Sequence, residues 1–311
     1  MNGDFLENYL TIILKLKQVI SGGGIYFNYI NNLFYNIEYI LYICVGHGVS
    51  FFKHFLYADY DVYGYKIYDK ILLPPSKKLI SIVKSYGWSE ENIIKINLPR
   101  WDKYNYENSY ILYDNSSITN NSILIMFTWR HFKKNKNISH FYFKNIFSLI
   151  NNEKLNFYLK GSNISLFFSL HHKLKNFEIK IKKNKYIQYI EEIQISECLS
   201  KINLIITDFS SIIFDIIYRR KPFIIYIPDA DDPEIENIYE KTYFDLIQSL
   251  KNGTIIFENK YFNLIEVVNK IIYYISNNFN LETKLEKFYD SFEFKKGNNT
   301  IEFINYISNL I

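Results

Sequence analysis

The residues with the clearest chemical potential lie in Leu204–Arg220, LIITDFSSIIFDIIYRR. An apolar strand there runs into Thr207-Asp208-Phe209-Ser210-Ser211, and a helix begins at once. The first turn of a helix has backbone N–H groups without intrahelical partners and carries the positive end of the helix dipole. Together they suit a phosphate. The hydroxyls of Ser210 and Ser211 could add hydrogen bonds to phosphate oxygens. A plainer reading stands beside this one: Asp208 or Ser210 caps the helix and does nothing more, for about 0.5–2 kcal/mol.

Three further clusters follow expected strands. His47 sits between Gly46 and Gly48 after the apolar run Tyr39–Val45. Glycines let backbone approach a ligand closely, and an imidazole accepts a proton near neutral pH. A structural histidine fits the same pattern. His171 and His172 follow Leu170. Adjacent residues on a strand face opposite sides, so they make a poor metal pair, and one of them can face a cleft. Arg130, in Thr128-Trp129-Arg130, and Arg100, in Pro99-Arg100-Trp101-Asp102, each follow a strand. A guidanidinium there suits bidentate binding of phosphate or carboxylate, or pairs with a surface carboxylate.

Composition narrows the classes. The 311 residues carry a net charge of +4, with 22% charged and 48% hydrophobic residues, enough for sizeable cores. The Lys-rich stretches at 133–136 and 180–185 are short and interrupted. A nucleic-acid binder would show a basic stripe, so nucleic acid is not an expected partner. The aromatic share of 19%, with abundant Ile, Asn, Lys and Tyr, reads as the codon bias of an AT-rich genome. Cys44 and Cys198 have neither metal-ligand nor disulfide spacing, which fits a reducing compartment. No apolar run reaches membrane-spanning length, and no signal peptide is expected.

The elements that must position these residues follow from periodicity. Helices are expected at 5–20, 76–86, 142–151, 195–200 and 210–218, and through most of 262–311. Strands are expected at 25–28, 39–45, 71–74, 93–96, 123–127, 156–160, 186–189, 204–207 and 222–227. Alternating strands and helices imply parallel sheets built from βαβ units. A polar stretch, Tyr104–Asn121, splits the series. The chain is therefore expected to be α/β with two doubly wound domains, 1–115 and 120–311. Ligands in such sheets bind beyond the carboxyl ends of the strands.

In chain order the clusters resemble the CDP-glycerol glycerophosphotransferases of teichoic acid and capsule synthesis. The residues that carry the resemblance are His47-Gly48, then Leu98-Pro99-Arg100-Trp101-Asp102, then Phe127-Thr128-Trp129-Arg130 and Leu170-His171-His172. Last come Ile206-Thr207-Asp208-Phe209-Ser210-Ser211, Phe214-Asp215 and Lys221-Pro222. Phe209 stands where the family has tyrosine. The resemblance covers about residues 40–245.

It implies a GT-B-type fold: two Rossmann-like domains across a cleft, an abbreviated N-terminal acceptor domain and a C-terminal CDP-donor domain with a helical tail. Its implied catalytic residues are His47 and His171. Its implied donor-binding residues are Arg130, Thr207, Asp208, Ser210, Ser211, Arg100 and Asp102. His47 would take a proton from the acceptor hydroxyl, while Arg130 and His171 would neutralise charge on departing CMP. Asp208 and Asp215 would orient loop and helix. No metal and no cofactor beyond the donor CDP-glycerol is expected. The acceptor would be a lipid-linked saccharide or polyol-phosphate polymer, placing the enzyme in the cytoplasm at the inner membrane face. A glycosyltransferase or ribitol-phosphate transferase with another donor, or an inactive nucleotide-binding relative, would share the phosphate-binding logic.

Overall fold

The computed structural model describes residues 43–44, 70–85, 88–104, 121–128, 140–170, 185–191, 195, 199–239, 241–253 and 257–309. The elements expected at 5–20 and 25–28 lie outside them, as do Gly46, His47 and Gly48. The chain forms two compact units, Met1–Asp102 with Ser291–Ile311, and Lys103–Asp290.

The first unit holds a parallel sheet in the order β1 (Ile43–Cys44), β2 (Lys70–Leu73), β3 (Ile93–Lys95). Helix α1 (Lys77–Ser85) connects β2 to β3. Buried Ser76 precedes it and accepts from the Leu79 N–H at 3.4 Å, a capping contact. Segment 291–311, read from sequence as the tail of the second domain, groups with this unit. It carries helix α9 (Asn299–Ser308).

The second unit is built on a six-stranded parallel sheet. Its strands are β4 (Ser122–Phe127), β5 (Ser165–Leu170), β6 (Ile187–Tyr189), β7 (Ile202–Thr207), β8 (Phe223–Tyr226) and β9 (Lys260–Tyr261), in the spatial order β6-β5-β4-β7-β8-β9. β5 and β8 are buried along their whole length, and β4 and β7 at all but one residue each. Near-continuous apolar runs are what a sheet covered on both faces demands. The helices are α2 (His140–Ile150), α3 (Glu153–Gly161), α4 (Ile212–Arg219), α5 (Ile235–Ile238), α6 (Lys241–Lys251), α7 (Leu264–Ser276) and α8 (Thr283–Asp290).

One expected strand, 156–160, is instead part of helix α3. The Asn152 side chain accepts from the Leu155 N–H at 3.0 Å and starts the helix, with Glu153 in its first turn. Leu155 and Leu159, four apart, are the buried pair. The short apolar run Phe157-Tyr158-Leu159 imitated a strand, while the capping residue and the four-residue spacing of leucines set the period. Of the short helix expected at 195–200, the described residues show Ile195 in helical conformation and a 3-10 turn at Leu199–Lys201.

At the sheet edge Tyr274 of α7 donates to Glu282 at 2.6 Å and accepts from Asn259 at 2.6 Å. Asn259 also donates to the Phe223 carbonyl of β8 at 3.1 Å. Burial, then the carboxylate of Glu282, pushes the Tyr274 hydroxyl far above its usual range, so it stays a donor.

In the first unit Glu90 accepts from Lys95 at 2.5 Å and from Lys84 at 3.0 Å. These bonds, that of Lys95 first, lower its carboxyl from 4.5 to about 2. Because the folded value lies below the unfolded one, the stabilisation is complete above the unfolded pKa. It is lost as pH falls through the interval from 4.5 to about 2. Glu90→Gln is expected to make unfolding less dependent on pH in that interval, followed by circular dichroism. An acid limb identical to wild type would contradict the assignment.

Candidate functional site

The strand order places the site. From β4 the chain leaves in one direction, through α2 and α3 to β5, then to β6. From β7 it leaves in the other, through α4 to β8 and then β9. Neighbours β4 and β7 therefore flank a topological switch point, where the connections after their carboxyl ends diverge and leave a crevice. Thr128 follows β4, and Asp208–Ser211 follow β7.

Asp208 is fully buried, and its carboxylate joins the two strand ends. The Thr128 N–H donates to both of its oxygens, at 2.9 and 3.1 Å. Tyr142 of α2 donates to the Thr128 carbonyl at 3.3 Å. Asp208 thus orients the two loops. Thr207 is also buried, and its hydroxyl has no hydrogen-bond partner among the described residues.

The start of α4 differs in detail from expectation. Its first-turn N–H groups are not all without partners. Ile212 N–H donates to the Ser210 hydroxyl at 3.4 Å, Ile213 N–H to the Ser210 carbonyl at 3.3 Å, and Phe214 N–H to the Ser211 carbonyl at 3.1 Å. These are the tight bonds that finish a helix start locally, and two are at the long end of the range. The Ser211 hydroxyl makes no capping bond, and the residue is part-exposed. An anion at this end would meet the helix dipole and that hydroxyl.

Asp215, in the same helix, is buried and accepts from the Tyr104 hydroxyl at 3.1 Å. The Arg219 guanidinium lies 5.5 Å from the centre of the Tyr104 ring and donates to the Leu199 carbonyl. Tyr104, read from sequence as the start of a linker, is therefore an anchor for α4. No local signal marks it, since its partner is 111 residues away.

Asp102 stands elsewhere. Its two carboxylate oxygens accept from the N–H groups of Asn299 and Thr300, each at 2.7 Å, capping α9. The Thr300 hydroxyl donates to the Pro99 carbonyl at 3.3 Å, and Asn97 donates to the Lys295 carbonyl at 2.6 Å. Trp101 is fully buried against Phe294, with ring centres 5.0 Å apart. Leu98–Asp102 thereby binds segment 291–311 to the first unit, which explains why that segment leaves the second. Arg100 lies in the same 3-10 turn, Pro99–Tyr104, and is part-exposed.

His47, Arg130 and His171 lie outside the described residues. The structure brings together Thr207, Asp208, Ser210 and Ser211 at the switch point, adding Thr128 to them, and sets Asp102 against α9. Among the described residues no group of three or more His, Cys, Asp or Glu side chains is arranged to hold a metal ion. No helix among them is long and apolar enough to cross a membrane.

Residues 8–309 match the family model described as CDP-glycerol:poly(glycerophosphate) glycerophosphotransferase. The chain is 28% identical over 285 residues to the minor teichoic acid biosynthesis protein GgaB of Bacillus subtilis strain 168, covering 85% of this chain and 28% of that protein. It is 24% identical over 250 residues to the teichoic acid glycerol-phosphate primase of the same organism, covering 79% and 59%. Among solved structures it resembles the wall teichoic acid polymerase TagF, in a histidine-to-asparagine variant soaked with CDPG. The TM-score is 0.52 at 18% identity, over 79% of this chain and 56% of that one. The chain thus spans between about a quarter and three fifths of the length of these relatives.

Asp102→Ala is expected to loosen the first turn of α9 and to lower stability by about 0.5–2 kcal/mol. Hydrogen exchange at 299–303 would rise while that at 207–213 stays unchanged. Unaltered exchange at 299–303 would remove Asp102 as the cap.

Proposed function

We propose, from the premise that this chain belongs to the CDP-glycerol:poly(glycerophosphate) glycerophosphotransferase family, that it transfers glycerol phosphate from CDP-glycerol. The acceptor is a hydroxyl of a lipid-linked saccharide or growing polyol-phosphate polymer, and CMP is released. The observation that carries this reading is the convergence of Thr128, Asp208, Ser210 and Ser211 at the β4–β7 switch point.

The donor diphosphate lies against Ser210 and Ser211, with the α4 dipole opposite its charge and Thr207 beneath the loop. Asp208 holds the loop and does not touch the anion, since like charges repel. His47 accepts the proton of the attacking hydroxyl. That oxygen forms a bond to the glycerol-bearing phosphorus, and the bond from this phosphorus to the oxygen bridging to CMP breaks. Arg130 and His171 balance the charge that builds on CMP. Such a step depends mainly on positioning and electrostatics, and needs no cofactor beyond the donor. The reading takes the fold as GT-B type, with the donor bound by the second unit. The enzyme works as a peripheral protein at the inner membrane face, where a lipid-linked acceptor is reached.

CMP release from CDP-glycerol, CDP-ribitol and UDP-sugars, with and without membrane-lipid extract, tests this. Release from CDP-glycerol that needs the extract and falls about 10²–10⁴-fold in His47→Ala is the expected result. Ser211→Ala should raise the donor KM and leave the fold intact. Donor binding with no CMP release under any condition would make the chain a nucleotide-binding module instead.

A further inference from the structure

Helix α6 carries no chemistry in the mechanism above, yet its Tyr243 packs against the loop that does. Phe209, between Asp208 and Ser210, turns its ring into the interior and is buried. Its neighbour there is Tyr243 of α6, edge-on at 5.2 Å between ring centres with planes at 87°. Tyr243 is backed in turn by Tyr239, at 5.2 Å, and both are buried. The far end of α6 is fastened too. Lys251 donates to the Ala230 carbonyl at 2.6 Å and to Asp231 at 2.8 Å. Lys260 donates to the Leu250 carbonyl at 2.8 Å. Helix α6 is thus a fixed wall behind the β7–α4 loop.

We propose that Tyr243 is a positioning residue for donor binding: its ring seats Phe209, and so sets where Ser210 and Ser211 present their donors to phosphate. The inference deepens the glycerophosphotransferase reading and rests on it for the identity of the ligand. The loop is held from two sides by different forces. Asp208 ties it to β4 through hydrogen bonds, which fix distance. Phe209 presses it on Tyr243 through an edge-to-face ring contact, which fixes tilt. Loss of the ring leaves Asp208 in place but lets the segment after it pivot, so the serines and the start of α4 no longer share one geometry. The contact uses the ring alone, which explains why phenylalanine serves at 209.

The test compares Tyr243→Leu, Tyr243→Phe and Phe288→Leu in the full chain. Phe288 is a buried aromatic in a separate cluster with Phe223 and Phe257. Two readouts are taken: hydrogen exchange at 207–213, and kcat and KM for CDP-glycerol. Tyr243→Leu is expected to speed exchange in that segment and raise the donor KM about two- to tenfold, with kcat nearly kept. Tyr243→Phe should restore both. Phe288→Leu should lower the melting temperature and move neither. Phe209→Leu removes the same contact from the other side and should repeat the exchange result, which covers the case of a Tyr243→Leu chain that fails to fold. Wild-type exchange at 207–213 in the Leu variants, a Phe variant that does not restore it, or an equal effect from Phe288→Leu would overturn the proposal. A wild-type protein that neither binds nor turns over CDP-glycerol would sink the donor reading, and the exchange measurements would still decide the role of Tyr243.

Discussion

The second unit depends on one buried carboxylate. Asp208 sits where β7 ends, and the N–H it accepts belongs to the first residue beyond β4. Without it, that N–H would lie beyond the ladder at the point where the connections of the two strands diverge. Thr128 is part-buried, so the bond counts for less than the about 1–3 kcal/mol that a fully buried donor without a partner costs. The bond does more than satisfy it. It ties the first residue beyond β4 to the loop after β7, so the geometry of Ser210 and Ser211 is referred directly to the sheet. A carboxylate suits this role because both oxygens can take the same N–H, which tolerates small shifts between the strands.

Sequence periodicity made much of this fold legible. The apolar runs at 123–127, 204–207 and 222–227 are long enough and bounded sharply enough that burial on both faces is their simplest explanation, and β4, β7 and β8 lie there. It failed at 156–160, where Phe157-Tyr158-Leu159 form a short apolar run and the capping by Asn152 with the four-residue spacing of Leu155 and Leu159 discloses a helix. β5, β9 and the helices α5 and α6 were not among the expected elements. The stretch of α5 and α6 is rich in Asp, Glu and Tyr, and the ring of Tyr243 there is packed on distant Phe209. The candidate site was half legible for the same reason. A strand that runs into Ser-Ser and then a helix can be recognised locally, whereas the partners that hold it, Thr128, Tyr104 and Tyr243, are distant in sequence and marked by no spacing.

Asp102 shows a structural duty that a short motif does not disclose. The family resemblance places it with Arg100 among donor-binding residues, and nothing local marks its partner in the structure. The carboxylate accepts from two N–H groups of α9 instead, and Trp101 is packed inside. The constraint is again the helix terminus. Its first N–H groups need acceptors, and a carboxylate brought from 197 residues away supplies two at once, with a favourable charge against the dipole. The same physics operates at α4 with the opposite consequence. There Ser210 and Ser211 satisfy the first turn with longer, neutral bonds, and no carboxylate of the preceding loop caps it, because Asp208 faces β4.

That contrast separates a helix start closed by a carboxylate from one closed by neutral groups. At α9 a carboxylate takes two first-turn N–H groups. At α4 Asp208 accepts from Thr128 and Asp215, although in the first turn, accepts from Tyr104, so the first-turn N–H groups meet only Ser210 and Ser211. Phosphoryl transfer asks little covalent chemistry of a protein and much of its geometry. On the proposed reading, a loop held by a carboxylate on one side and an aromatic wall on the other meets that demand with residues that carry no motif of their own: Thr128, Asp208, Phe209 and Tyr243.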